Sequence, residues 1–211
     1  MANLIIKPTS GGLLKLQEDG GTDAISIGTD GKSTITNAII TAWTPPAGTV
    51  LQVVSATKTA HQSSASTNNA FTAITDLDLA ITPSATSSKV LVTYHINVSQ
   101  STGSHTGTGI ALYRGGSILT AATGASTSNN RTRVTSGVIH YNTNDGNAYS
   151  GTLSMTFLDS PSTTSATTYQ PYLYNASGSA FTTHVNRDQG GTNNLYAVNA
   201  ISTITCMEVK G

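Results

Sequence analysis

The chain has 211 residues, ten basic and ten acidic side chains, and 9% charged residues where a globular protein usually carries about a quarter. A net charge of zero with no run of like charge excludes an extended nucleic-acid-binding face, which needs clustered Lys and Arg; Arg131 with Arg133 is only a local pair. Ser, Thr and Asn supply roughly a third of the residues, yet 37% are hydrophobic and fall in short β-branched runs, which argues for strands rather than disorder. The single cysteine, Cys206, rules out a disulfide-stapled domain, and its neighbours Ile204 and Met207 predict a buried thiol in the last strand. Residues 1–10 lack the basic start and apolar core of a signal peptide, and no apolar run is long enough for membrane insertion. The Asn-x-Ser/Thr triplets at Asn97, Asn130 and Asn175 are what chance gives in this composition.

Residues 1–40 read as four short apolar runs, Leu4-Ile5-Ile6, Leu13-Leu14, Ala24 to Ile27 and Thr34 to Thr36, separated by the turn formers Pro8–Gly12, Glu18–Thr22 and Gly28–Gly31. Strands this short, at roughly ten-residue spacing, do not bury enough to stand alone. Several copies wound round an axis would bury the leucines and isoleucines together. The segment is therefore expected to be an oligomeric β-stem, with Leu4, Ile6, Leu14 and Ile27 at the contact. Residues 41–48 (TAWTPPAG) form a Pro-rich hinge, because Pro45 and Pro46 cannot sit in a central strand. Trp43 there reads as a cap on the base of the next domain or as a docking anchor.

Residues 49–211 read as strands throughout, with no persistent helical stripe. Val50–Val54 is short. Phe71, Ala73, Leu77, Leu79 and Ile81 share a parity broken near Thr75-Asp76, and Pro83 ends the run. Lys89–Gln100 is the clearest strand, with Val90, Val92, Tyr94, Ile96 and Val98 alternating against Lys89, Thr93, His95, Asn97 and Ser99, Leu91 being the exception. Arg114-Gly-Gly-Ser117 is a tight hairpin between Ile110–Tyr113 and Ile118–Leu119. Arg131–Tyr141 and Ala148–Leu158 read as a long hairpin about Asp145-Gly146. Thr168–Tyr174 is expected at an edge because of Pro171. Phe181–Val185 is a weaker strand. Leu195–Val209 ends the chain, and its parity switch between Ile201 and Ile204 suggests a bulge or burial on both faces. About ten strands with frequent turns predict an all-β class: a short stem followed by an antiparallel jelly-roll β-sandwich.

The N-terminal stretch NLIIKPTSGGLLKLQEDGGTDAISIGTDG resembles the N-terminal segment of short fibre and decoration proteins of tailed, marine-type phages, in which similar repeats lead into a C-terminal β-sandwich. The remainder is similar in layout to the jelly roll of the C1q and tumour-necrosis-factor type. This resemblance implies a homotrimer on the virion surface, made in the host cytoplasm. Its N-terminal segment would contact other virion proteins of capsid or tail, and its knob would be able to adhere to host surface glycans. It also implies a central final strand, with Tyr172, Tyr174 and Tyr196 facing the three-fold axis; the plain alternative is that these are half-buried core residues.

Chemistry is sparse. The five histidines, His61, His95, His105, His140 and His184, show no ligand spacing, and no Cys pair joins them. Gly103–Gly107 (GSHTG) carries His105 where a nucleophile elbow needs its Ser. Asp76 and Asp78 share a face but sit at a strand junction, where a solvated turn competes with a glycosidase pair. Asn142–Asn147 has oxygen ligands but not the spacing or distal Glu of an EF-hand loop. No phosphate loop, cofactor or metal site is expected, nor enzymatic activity. Six Ser/Thr/Asn-rich loops remain, among them 63–69 and 186–194. The second is the best binding candidate, because Arg187, Asp188 and Gln189 offer planar hydrogen-bonding groups. The expected function is thus a non-enzymatic trimeric fibre or decoration. The alternative is a soluble carbohydrate-binding module, which would have no need of the stem.

Overall fold

The computed structural model describes residues 44–66, 70–100, 106–125, 131–140, 149–176, 181–188 and 198–211, and strand backbones at 14–17, 23–27 and 33–35. The chain divides into two units, Met1–Thr44 and Pro45–Gly211. In the first, β1 (Leu14–Gln17), β2 (Asp23–Ile27) and β3 (Ser33–Ile35) form an antiparallel meander. Its register pairs Leu14 with Ile27, Leu16 with Ile25, and Ile25 with Ile35. Leu4, Ile6 and Trp43 lie outside the described residues.

The second unit contains β4 (Val50–Lys58), β5 (Gln62–Ser66), β6 (Phe71–Ala73), β7 (Leu79–Ile81), β8 (Lys89–Gln100) and β9 (Thr106–Arg114). These are followed by β10 (Ser117–Ile118), β11 (Ser136–His140), β12 (Tyr149–Asp159), β13 (Thr167–Ala176), β14 (Phe181–Val185) and β15 (Ser202–Val209). β12 pairs along the whole of one edge of β8, from Tyr149 opposite Gln100 to Asp159 opposite Val90. β15 and β14 therefore share the other edge, β15 against residues 89–95 and β14 against 98–100. β4 continues the sheet beyond β15, and β5 beyond β14. The second sheet has β9 and β13 at its centre, β10 and β11 along the outer edge of β9, and β6 and β7 along the outer edge of β13. If each split pair counts as one row, the rows in chain order run 1-8-3-6 in one sheet and 2-7-4-5 in the other, the nested Greek keys of a jelly roll. The final strand lies centrally, between β4 and β8.

The core is what strand alternation demands. Val90, Val92, Tyr94, Ile96 and Val98 of β8 face Ile110 and Leu112 of β9, Tyr169 and Leu173 of β13, and Ile74 to Ile81 around β7. Tyr94 is wholly buried, and its hydroxyl bonds the Ser136 hydroxyl at 2.8 Å, so its polar tip is satisfied. Burial pushes that phenol up to about 12. Cys206 is buried as expected, and desolvation likewise pushes its thiol up to about 12, which leaves it an inert apolar filler.

Four expectations need correction. Residues 131–141 and 148–158 do not pair as a hairpin: β11 lies against β9 and β12 against β8, in opposite sheets. The turn at Asn142–Asn147 lies outside the described residues. Pro171 is not at an edge but in β13, opposite Leu112. It is tolerated because the outer row is broken there. Ile74 donates its N–H to the Pro171 carbonyl at 3.1 Å, and the return bond that proline cannot give comes from the Gln170 side chain to the Ile74 carbonyl, also at 3.1 Å. The parity switch before Ile204 is the start of β15 at Ser202, and Ile201 precedes the strand; the irregularity in register falls at Glu208/Val209. Residues 63–66, read as part of the polar loop 63–69, belong instead to the edge strand β5.

Two buried carboxylates, Asp159 and Glu208, each anchor a hydrogen-bond network. Asp159 of β12 accepts from Arg114 of β9 at 2.7 and 3.0 Å and from the Tyr169 hydroxyl of β13 at 2.6 Å, which links the sheets at one end. The Asp159 hydrogen bond raises the Arg114 pKa; burial, reinforced by the same carboxylate, raises that of Tyr169. Glu208 is buried and accepts from the Ser84 N–H and hydroxyl, the Ser88 hydroxyl and the Gln52 amide at 2.6–2.7 Å. Burial pushes this carboxyl up, but those hydrogen bonds outweigh it and hold it down to about 2. A carboxyl depressed in the folded state stabilises above its unfolded pKa, and that contribution is lost as pH falls through the folded value. Stability should therefore drop between pH 4.5 and about 2, with Glu208 contributing about 3 kcal/mol of the loss. Urea titrations across this range should show Glu208→Gln less stable than the parent at pH 7 and flatter with pH.

Candidate functional site

Arg187 and Asp188 sit where the row formed by β14 and β15 is interrupted. The chain leaves the sheet at Asn186 and re-enters at Ser202. Asn97 of β8 lies opposite this gap, so on that edge its backbone has no strand partner, although Thr152 of β12 stands opposite it on the other. Its N–H donates to the Ser202 hydroxyl at 3.0 Å, and its carbonyl accepts from the Asn186 N–H at 3.0 Å. Asn186 has φ of +66°, a left-handed conformation that Asn tolerates better than most residues. Its buried side chain donates to the Lys58 and Ala60 carbonyls at 2.8 and 3.3 Å and accepts from the Ser202 hydroxyl at 2.6 Å. It thereby closes the adjacent gap between β4 and β5 as well.

A cleft of about 280 Å³ opens over the break. Asn97, Ser150 and Thr152 contribute from β8 and β12; Arg187, Asp188, Val198 and Ala200 come from the two ends of the excursion. Its walls are held. The Thr152 hydroxyl donates to Asn97 Oδ1 at 2.6 Å, and Asn97 Nδ2 donates to the Ile201 carbonyl at 2.5 Å. The Ser99 hydroxyl donates to the Arg187 carbonyl at 2.7 Å, and Arg187 Nε donates to the Asp188 carbonyl at 3.2 Å. His184, one strand position from the break, bonds Ser63 through Nδ1 at 2.8 Å. Burial, then the nearby Arg187, lowers its pKa, with Asp188 partly opposing. Gln189 and Tyr196 lie outside the described residues.

The other expected positions fall elsewhere. Tyr172 and Tyr174 are on the outer face of the second sheet. Tyr172 stacks on Tyr113 with ring centroids 3.7 Å apart, and Phe71 packs on Tyr174 at 4.8 Å. Tyr174 is buried and its hydroxyl bonds Thr132 at 2.6 Å, whereas Tyr172 is half-buried. Asp76 occupies a turn with φ of +63° and pairs with the buried Lys58 at 3.0 Å. Among the described residues no three His, Cys, Asp or Glu side chains gather as metal ligands would, and no helix is long and apolar enough to cross a membrane. No protein-family model matches the chain, and no curated protein matches its sequence.

One feature was invisible in the sequence. On the outer face of the first sheet, Val53, Met207, Leu91 and Leu158 stand in one register line across four strands. Val53 is 55% and Leu158 51% exposed. The next two lines are uncharged, Ser55-Thr205-Thr93-Thr156 and Thr57-Thr203-His95-Ser154, with Thr93 bonding Thr156 and His95 bonding Ser154.

The stability of the break depends on Asn186. Asn186→Ala removes three side-chain hydrogen bonds, strands buried partners, and keeps a β-carbon in the left-handed region. Equilibrium unfolding should show a loss of roughly 3 kcal/mol or more. Asn186→Gly, which relieves only the backbone, should lose less.

Proposed function

We propose that the protein is a non-enzymatic structural and adhesive protein, a homotrimeric short fibre or decoration of a tailed phage. The β-meander unit would serve in chain association and contact with other virion proteins, and the jelly-roll unit would form the exposed, glycan-adhering knob. The observation that carries this reading is the pairing of a three-stranded meander, too small for a core of its own, with a jelly roll whose outer sheet face is crossed by an exposed apolar line flanked on one side by two uncharged polar lines, with Lys89 on the other side. A threonine-rich surface with a hydrophobic centre suits self-association, because its one described cation, Lys89, lies at the margin, bonded to Ser160. Three copies would present three identical loop sets, so attachment gains from effective concentration rather than from one tight site. The cleft over the sheet break favours a second reading, a carbohydrate-binding module that acts alone.

Light scattering on the full chain separates the two. The fibre reading expects three times the 21.7 kDa chain mass, persisting on dilution. A monomer at all concentrations would reject it in favour of the solitary module. Met207→Lys places a charge in the middle of the apolar line and should shift the mass towards monomer while leaving the thermal midpoint of the monomeric fold nearly unchanged, since surface substitutions of this kind usually cost within about 0.5 kcal/mol.

A further inference from the structure

We propose that the cleft over the break between β14 and β15 binds a single neutral sugar ring, so that this is the site through which the knob adheres. The inference rests on the adhesive reading above and goes beyond it by naming the site and the ligand class. The cleft's volume of about 280 Å³ lies just below the usual range for drug-sized ligands, which fits one pyranose ring rather than an extended chain.

The lining has the mixed polarity a polyol needs. Arg187 uses Nε on the neighbouring Asp188 carbonyl, and among the described residues its terminal guanidinium nitrogens have no acceptor, so they remain as donors. Asp188 also lines the cleft, where an ionised carboxylate can act only as an acceptor. The Thr152 hydroxyl has committed its proton to Asn97 and so presents lone pairs, whereas the exposed Ser150 hydroxyl is free to donate or accept. Val198, 68% exposed beside Ala200, offers an apolar contact to the C–H face of a ring. These groups need little ordering on binding. Ser99 pins the Arg187 backbone, both halves of the Asn97 amide are occupied, and Asn186 fixes the exit from the sheet.

Other ligand classes fit less well. A phosphate or nucleic acid calls for several cations, and here one guanidinium stands beside one carboxylate. A metal calls for a cluster of ligands, and none occurs among the described residues. An apolar ligand would strand the terminal guanidinium nitrogens of Arg187 without water.

The test is titration of the full chain with methyl glycosides of glucose, galactose, mannose and the N-acetylhexosamines by saturation-transfer NMR and calorimetry. Attachment of the same preparations to bacterial cells is measured alongside. At least one glycoside should bind with a Kd of about 1 mM, as a weak single-ring site would. Arg187→Ala should weaken it at least tenfold. Val198→Glu, at an exposed position that the fold does not depend on, should weaken it several-fold with an unchanged thermal midpoint. Failure of every glycoside to bind at about 50 mM overturns the proposal. Glycoside binding that survives both substitutions also overturns it. Cell attachment that persists in both variants overturns the site while leaving the adhesive reading intact. Glycoside binding without any cell attachment supports the site and rejects the adhesive reading.

Discussion

The buried Asn186 side chain is the contact on which the arrangement of the jelly-roll unit most depends. A jelly roll with rows this long must satisfy every backbone group along them, and here four rows are interrupted: between β4 and β5, between β14 and β15, between β6 and β7, and, apart from these three, between β10 and β11. Asn186 joins the first two interruptions by bonding Lys58, Ala60 and Ser202 at once. The third, on the opposite sheet, is reached from the same place. The buried Lys58 ammonium donates to Thr75 and Asp76 at 2.8 and 3.0 Å, and Gln62 donates to the Ala73 carbonyl and accepts from the Thr75 N–H. These three breaks are therefore stacked and cross-linked into one polar seam through the sandwich. Removing a member of such a seam leaves other buried groups without partners, so it should fail as a unit.

The seam also explains where the cleft lies. A continuous strand from 181 to 209 would have covered the edge of β8 without leaving a concavity. The row stops at a left-handed Asn186 and resumes at Ser202, with the backbone cost met by the Asn186 N–H donating to the Asn97 carbonyl and the Asn97 N–H donating to the Ser202 hydroxyl. The concavity is therefore framed by rigid strand ends, which is how a loop on a sandwich becomes a precise binding surface.

What could be read from the residues alone follows from this. Lys89–Gln100 was legible to the residue, because a strand buried on one face writes its period into the sequence, and the jelly-roll class followed from strand number and spacing. Gln62–Ser66 was not legible, because an edge strand of Gln, Ser and Ala carries no apolar period. The false hairpin between β11 and β12 arose because Asp-Gly marks a turn without saying whether the chain comes back beside itself or crosses to the other sheet. Pro171 was misassigned because the rule confining proline to edges assumes an unbroken neighbour, and the break at Ile74 was not visible. Of the site, Arg187 and Asp188 stood out by residue type. Asn97, Ser150, Thr152 and Val198 did not, since only the crossing connections bring them within reach of the first two.

The two outer faces of the sandwich differ in a way that bears on how copies would meet. The second sheet spends its large outward side chains on one another: Phe71, Tyr113, Tyr172 and Tyr174 form a connected aromatic cluster, and Tyr174 is further held by Thr132. Such a face has already buried much of its apolar area within the chain. The first sheet has not. Val53 and Leu158 at the two ends of its apolar line remain more than half exposed, and cross-strand bonds between Thr93 and Thr156 and between His95 and Ser154 link strands in the polar lines to one side of it. The hydrophobic gain from covering a face is proportional to the apolar area still in contact with water. The first sheet therefore has more to gain from a second copy than the tyrosine-bearing face, although the tyrosines were the more conspicuous residues in the sequence.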